Sequence, residues 1–115
     1  MRYTLPPDTV HDYARYGAVV LRGVLTPTEV AQLERCIEHN LAHLSPLALV
    51  ASQLDDPGRF VEDFCTWQHN PDYTAVMQHS ALPLVAAQLM QSDTVRIYHD
   101  HLLVKEPGTR QRTPC

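Results

Sequence analysis

The sequence predicts an α+β fold with more helix than strand, and three observations lead to it. Thr26-Pro27-Thr28-Glu29 opens a stretch in which Val30, Leu33, Ile37, Leu41 and Leu44 recur at spacings of three and four, the period of one helical face. Ala18-Val19-Val20-Leu21 is a short apolar run between Gly17 and Gly23, a length that suits a buried strand. Thr94 to Val104 carries Val95, Ile97, Leu102 and Val104, which gives it strand character.

Each element follows from local chemistry. Asp8 to Tyr16 reads as a short helix with Val10, Tyr13 and Ala14 on one side and Gly17 as a left-handed stop. In the next helix Thr26 caps the free N–H groups, Pro27 suits the first helical position and Glu29 completes a capping box. That helix is expected to end near Ser45-Pro46, because the residue before a proline disfavours helical backbone. Leu47 to Gln53 suggests a helical turn or two, and Asp55-Asp56-Pro57-Gly58 a turn. Phe60, Phe64 and Trp67 concentrate aromatic bulk and point to a packing cluster. Pro71 to His79 and Leu82 to Met90 read as two further helices, the second with Pro83 in its first turn. Glu106-Pro107-Gly108-Thr109 is a turn. With no internal repeat or linker, residues 1–115 read as a single unit.

Charge and composition narrow the function. Net charge is −4 with acids and bases interspersed, and no basic stripe exists to neutralise phosphates, so nucleic acid is not expected as a partner. No apolar run approaches the ~18 residues that span a bilayer, and Met1 to Asp8 lacks the apolar core of a signal peptide. No membrane partner is expected. Cys36, Cys65 and Cys115 are widely spaced and contain no CxxC, which fits reduced thiols and a cytoplasmic location.

His99-Asp100-His101 is the most suggestive cluster. On a strand its two histidines share one face and Asp100 points away, so both imidazoles could reach one metal ion. A complete site needs a further ligand, for which His69, His79, Glu62 and Asp63 are nominal candidates. The plainer reading is a strand whose histidines line a polar pocket. His11, His39 and His43 fit solvated helix faces, and Glu62-Asp63 a cap or a surface charge. Cys65, among Phe60, Phe64 and Trp67, reads as a buried, inert thiol. No Ser-His-Asp signature, Cys-His signature or glycine-rich phosphate loop is present.

Three stretches together resemble one family. Tyr16-Gly17-Ala18-Val19-Val20-Leu21-Arg22-Gly23-Val24-Leu25-Thr26-Pro27-Thr28-Glu29-Val30 is similar to the start of phytanoyl-CoA dioxygenase-like proteins, which are non-haem Fe(II)/2-oxoglutarate-dependent oxygenases. Arg59-Phe60-Val61-Glu62-Asp63-Phe64-Cys65-Thr66-Trp67 fits the middle of that region. Val95 to Thr109, through Tyr98-His99-Asp100-His101, looks like the segment leading into the family's catalytic motif. The resemblance covers nearly the whole chain. It implies helices packed on part of a double-stranded β-helix (jelly-roll, cupin-like), cut before most core strands.

The family continues with Thr-Pro-Trp-His-x-Asp, whose His and Asp are two of three iron ligands. Here Thr113-Pro114 is followed by Cys115. The resemblance therefore implies an N-terminal portion of the oxygenase domain, with no catalytic or metal-ligating residue of its own and inactive alone. In the intact protein Fe(II) and 2-oxoglutarate would serve hydroxylation of a small organic substrate. Neither is expected to bind this chain alone. His101 and Lys105 are expected to line the cosubstrate pocket. A chain lacking those strands should be marginally stable and prone to aggregate. Two alternatives remain: a non-catalytic small domain that binds a ligand or partner, and a small metal-binding protein using His99 and His101.

Overall fold

The computed structural model describes residues 3–113, so Pro114 and Cys115 of the Thr113-Pro114-Cys115 stretch lie outside the described residues. Helix α1 covers Thr9–Tyr16 and stops at Gly17, whose φ of 76° is the left-handed turn a glycine adopts without steric cost. Helix α2 covers Pro27–Ala42 and starts on the expected reciprocal cap. Thr26 Oγ1 accepts from the Glu29 N–H at 3.2 Å, and Glu29 Oε2 accepts from the Thr26 N–H at 2.8 Å. Thr26→Ala should lower stability by about 1 kcal/mol, read as a shift of the urea midpoint. An unchanged midpoint would mean that this end of α2 does not limit stability.

Helix α2 ends three residues earlier than Ser45. The His43 N–H closes back onto His39 and Asn40 carbonyls, while Ser45 gives both its N–H and its hydroxyl to Asp63. Those bonds pull the chain off the helix before Pro46 can act. Leu47 to Gln53 is not helical. Leu49–Val50 forms a short strand, β1, opposite Glu62 and Val61 of β2, which covers Phe60–Phe64. A single 3₁₀ turn over Trp67–His69 leads to helix α3, Pro71–His79, and helix α4, Leu82–Met90, both with the expected bounds. Asn70 caps α3 by accepting from the Asp72 and Tyr73 N–H groups.

Two expected strands differ from what forms. Ala18–Leu21 forms no strand. It lies in a hollow of about 580 Å³ with Tyr13, Val30, Leu82, Val85 and Leu89, all from helices. Helices have already spent their backbone groups internally, so this apolar run finds no ladder; Val19 and Leu21 are half-buried against the helices, and Val20 faces solvent. At the other end the Thr94–Val104 stretch pairs only from His101 onward, as β3, which covers His101–Lys105. The sheet has the order β1-β2-β3, antiparallel throughout, with Phe60 opposite Lys105 and Phe64 opposite His101.

Burial concentrates on β2. Phe60 and Val61 are buried, as are Val76 on α3, Cys36 on α2 and Val85 on α4. Glu62 and Asp63, read from the sequence as a cap or surface charges, are buried too, Asp63 completely. As the middle strand β2 has both edges paired, and side chains cover its two faces: His101 stands over Glu62, and Asn40 and Ser45 over Asp63. Beyond the strand ends, the Glu106 N–H donates to the Arg59 carbonyl and the Arg59 N–H to Glu106 Oε2. Gly58 packs there without room for a side chain: a Cβ would lie 2.2 Å from the Pro107 carbonyl oxygen. Gly58→Ala should therefore cost about 1–3 kcal/mol in chemical denaturation. A neutral result would show that the two loops separate freely.

Candidate functional site

Antiparallel pairing places directly opposed residues on the same side of a sheet. One face of the sheet thus carries Phe60, Glu62 and Phe64 from β2 with Lys105, Leu103 and His101 from β3. On β3 these three alternate as exposed positions with half-buried Leu102 and Val104. His101 stacks on Phe64 with ring centroids 4.4 Å apart, and its Nε2 stands 3.2 Å from Glu62 Oε1. Lys105 holds its Nζ 5.5 Å from the centre of the Phe60 ring and within 3.4 Å of Thr113 Oγ1. Both expected pocket-wall residues therefore sit on one exposed face of β3, separated by Leu103.

His99 joins this face from just outside the strand. Its ring lies 6.4 Å from that of His101, edge-on, and 5.9 Å from Phe64. Asp100 points the other way, as alternation requires, and its Oδ2 accepts from the Thr66 N–H and hydroxyl. Cys65 departs from expectation. It is exposed, and its Sγ lies 3.4 Å from His99 Nδ1. The backbone turns there with φ 56°, which takes the side chain out of the strand alternation and away from Phe60.

Of the nominal extra ligands, only Glu62 is brought beside His101. Asp63 faces the opposite side of β2, His69 lies in the 3₁₀ turn and His79 at the end of α3. Iron(II) in a facial triad needs three converging protein donors with open positions beside them. Among the described residues no three His, Cys, Asp or Glu side chains converge in that way. The described residues of this face therefore do not fit that metal.

The opposite face of β2 holds a polar network that sequence reasoning did not isolate. The Asp63 carboxylate accepts from Asn40 Nδ2, the Ser45 N–H and the Phe64 N–H, each at 2.8 Å, and from the Ser45 hydroxyl. Tyr73 donates its hydroxyl to Asn40 Oδ1 at 3.0 Å. Burial by itself pushes the Asp63 pKa up, but the Ser45, Asn40 and Phe64 donors together hold it below the usual carboxylate range. Burial raises the Tyr73 pKa, helped by Cys36 and nearby carboxylates. Burial also pushes the Cys36 thiol up. The network thus holds a fixed anion on Asp63 and keeps its proton on Tyr73. One signal pointed to it: Asn40 stands four residues after Cys36, inside the apolar stripe of α2.

No protein-family model matches the sequence, and comparisons with curated proteins and with solved structures return no match. Among the described residues no helix is long and apolar enough to cross a membrane.

Proposed function

We propose that this chain supplies the N-terminal helical layer and first sheet strands of a phytanoyl-CoA dioxygenase-like, Fe(II)/2-oxoglutarate-dependent oxygenase. In this reading the double-stranded β-helix continues outward from β3. The intact enzyme would hydroxylate a small organic substrate in the cytoplasm, and this chain would add pocket wall rather than metal ligands. The observation that carries the reading is unburied surface. The accessible area is 8585 Å², against about 6,300 Å² for a folded monomer of this mass. The radius of gyration is 16.3 Å, where a compact chain of this length has about 13 Å. Val20, Leu54 and Tyr98 stand in solvent. Such a layer is built to be covered, and further strands beside β3 would cover it.

The part left to His101 and Lys105 is orientation. Lys105 offers an ammonium group beside an aromatic ring, while His101, whose Nε2 is engaged by Glu62, offers its ring as wall. Facing a dicarboxylate cosubstrate, Lys105 would bind a carboxylate and His101 would limit how the molecule lies beside it.

The nucleotide sequence downstream of the Thr113 codon is the first test. A Trp-His-x-Asp stretch in any frame supports the reading, and its absence from all three overturns it. Anaerobic titration of iron(II) into the chain is the second. No uptake at the β3 face is expected; one-to-one binding lost on His99→Ala or His101→Ala would favour a small metal-binding protein instead.

A further inference from the structure

Helices α3 and α4, with the 3₁₀ turn before them, leave a hollow of about 520 Å³ against residues 95–97. Neither the β3 face nor the Asp63 network uses it. Trp67, Met77, Leu82, Pro83 and Ala86 line it and are all half-buried, so each keeps surface to offer a ligand. The walls are fixed locally. The Trp67 carbonyl accepts from the Thr74 hydroxyl at 2.6 Å, which ties the 3₁₀ turn to α3, and Pro83 holds the first turn of α4. Residues 95–97 belong to no strand, so no ladder closes the open side.

The lining favours a flat ring. Trp67 offers an aromatic face or edge for offset contact, and Met77 a polarisable sulfur that packs well on an aromatic edge. A ring also has fewer torsions to immobilise than an alkyl chain of the same length. Charge decides the other end of the ligand. Arg96 is exposed, carries the only formal charge among the lining residues and enters no ion pair among the described residues. Its guanidinium presents paired N–H donors that match the two oxygens of one carboxylate. Apolar walls around one fixed polar group, in a hollow of this size, are the usual make-up of a small-molecule site.

We propose that this hollow binds a small aryl monocarboxylate, with its ring against Trp67, Met77 and Pro83 and its carboxylate on Arg96. A second anionic group would have no partner among the lining residues. The site shares no residue with the β3 face and does not depend on the oxygenase reading.

Trp67 is the chain's only tryptophan, so its fluorescence reports on this hollow alone. Titration of phenylpropionate into the whole chain at about pH 7.5, where the acid is ionised, should shift that emission and saturate. The expected Kd is about 1 mM or below, with one site by calorimetry. Hexanoate keeps the carboxylate without the ring, and phenylpropanol the ring without the carboxylate; each should bind about tenfold more weakly. Arg96→Gln, an exposed change that leaves the walls in place, should weaken phenylpropionate about tenfold and leave phenylpropanol unaffected. Ala86→Leu fills the hollow from α4 with a good helix former and should abolish the response to both, with the far-ultraviolet circular dichroism unchanged. Absence of a saturable shift in the parent chain would overturn the proposal. So would equal affinities for the three ligands, or phenylpropionate binding that survives Arg96→Gln undiminished.

Discussion

Asn40→Asp is expected to remove a large part of the chain's stability at neutral pH and to recover some of it in acid. The new carboxylate would stand where Asn40 Nδ2 now donates to Asp63 at 2.8 Å, with both residues buried. The substitution removes a donor and sets two anions at hydrogen-bond distance, at a cost of about 3–5 kcal/mol. A domain of ordinary stability has only about 5–15 kcal/mol to lose. The pH dependence separates this cause from simple misfit. In the parent chain the Asp63 pKa is depressed, so its contribution is complete above the unfolded value near ~4 and is lost as pH falls through the folded value. In the variant the shared pair has a raised pKa, so falling pH stabilises it by placing one proton between the two oxygens. The difference in stability between parent and variant, from urea melts, should shrink steadily from about pH 7 to about pH 4.5. A pH-independent difference would rule out carboxylate repulsion as the cause.

Phe60→Ala should cost about 3–5 kcal/mol, the usual penalty for emptying a large buried site. Phe60 has no exposed surface, opposes Lys105 in the ladder, and its carbonyl accepts from the Ala51 N–H. One residue therefore ties all three strands. Lys105→Ala, which removes the cation over the ring and an exposed contact to Thr113, should cost under about 1 kcal/mol. Equilibrium denaturation of both variants, followed by circular dichroism, makes the comparison. Similar small losses would show that the sheet is not part of the cooperative unit.

Elements that carry their own local instruction were legible in the sequence. The capping box and apolar stripe of α2, the Gly17 stop of α1 and Pro83 in the first turn of α4 specify helices without help from elsewhere. The two failures at Ala18–Leu21 and Thr94–Asp100 have one cause. β character states only that a segment suits a pleated surface, and whether it pairs depends on which backbone lies beside it. For Ala18–Leu21 the neighbours are helices. For the candidate site, strand alternation correctly brought His99 and His101 together and turned Asp100 away. It did not foresee Cys65, because a left-handed backbone at a cysteine has no sequence signature. Nor did it reveal Asp63, whose side-chain donors Ser45 and Asn40 lie 18 and 23 residues away, in the loop after α2 and on α2 itself. Burial of a charge is legible only once its partners are known.

The unladdered path of residues 18–25 also divides the molecule by lifetime. Helix α1 packs chiefly on α4, and the path that follows it has no main-chain bonds to a neighbouring strand. Detaching α1 together with this path breaks side-chain contacts but leaves the Asp63 network and the three-strand ladder whole. Amide protons there should exchange with solvent through a small opening of their own, while those of Val61 and Asp63 wait for the whole chain to open. What looks like one domain is then a persistent centre of α2, α3 and sheet, with an N-terminal flap that comes and goes around it.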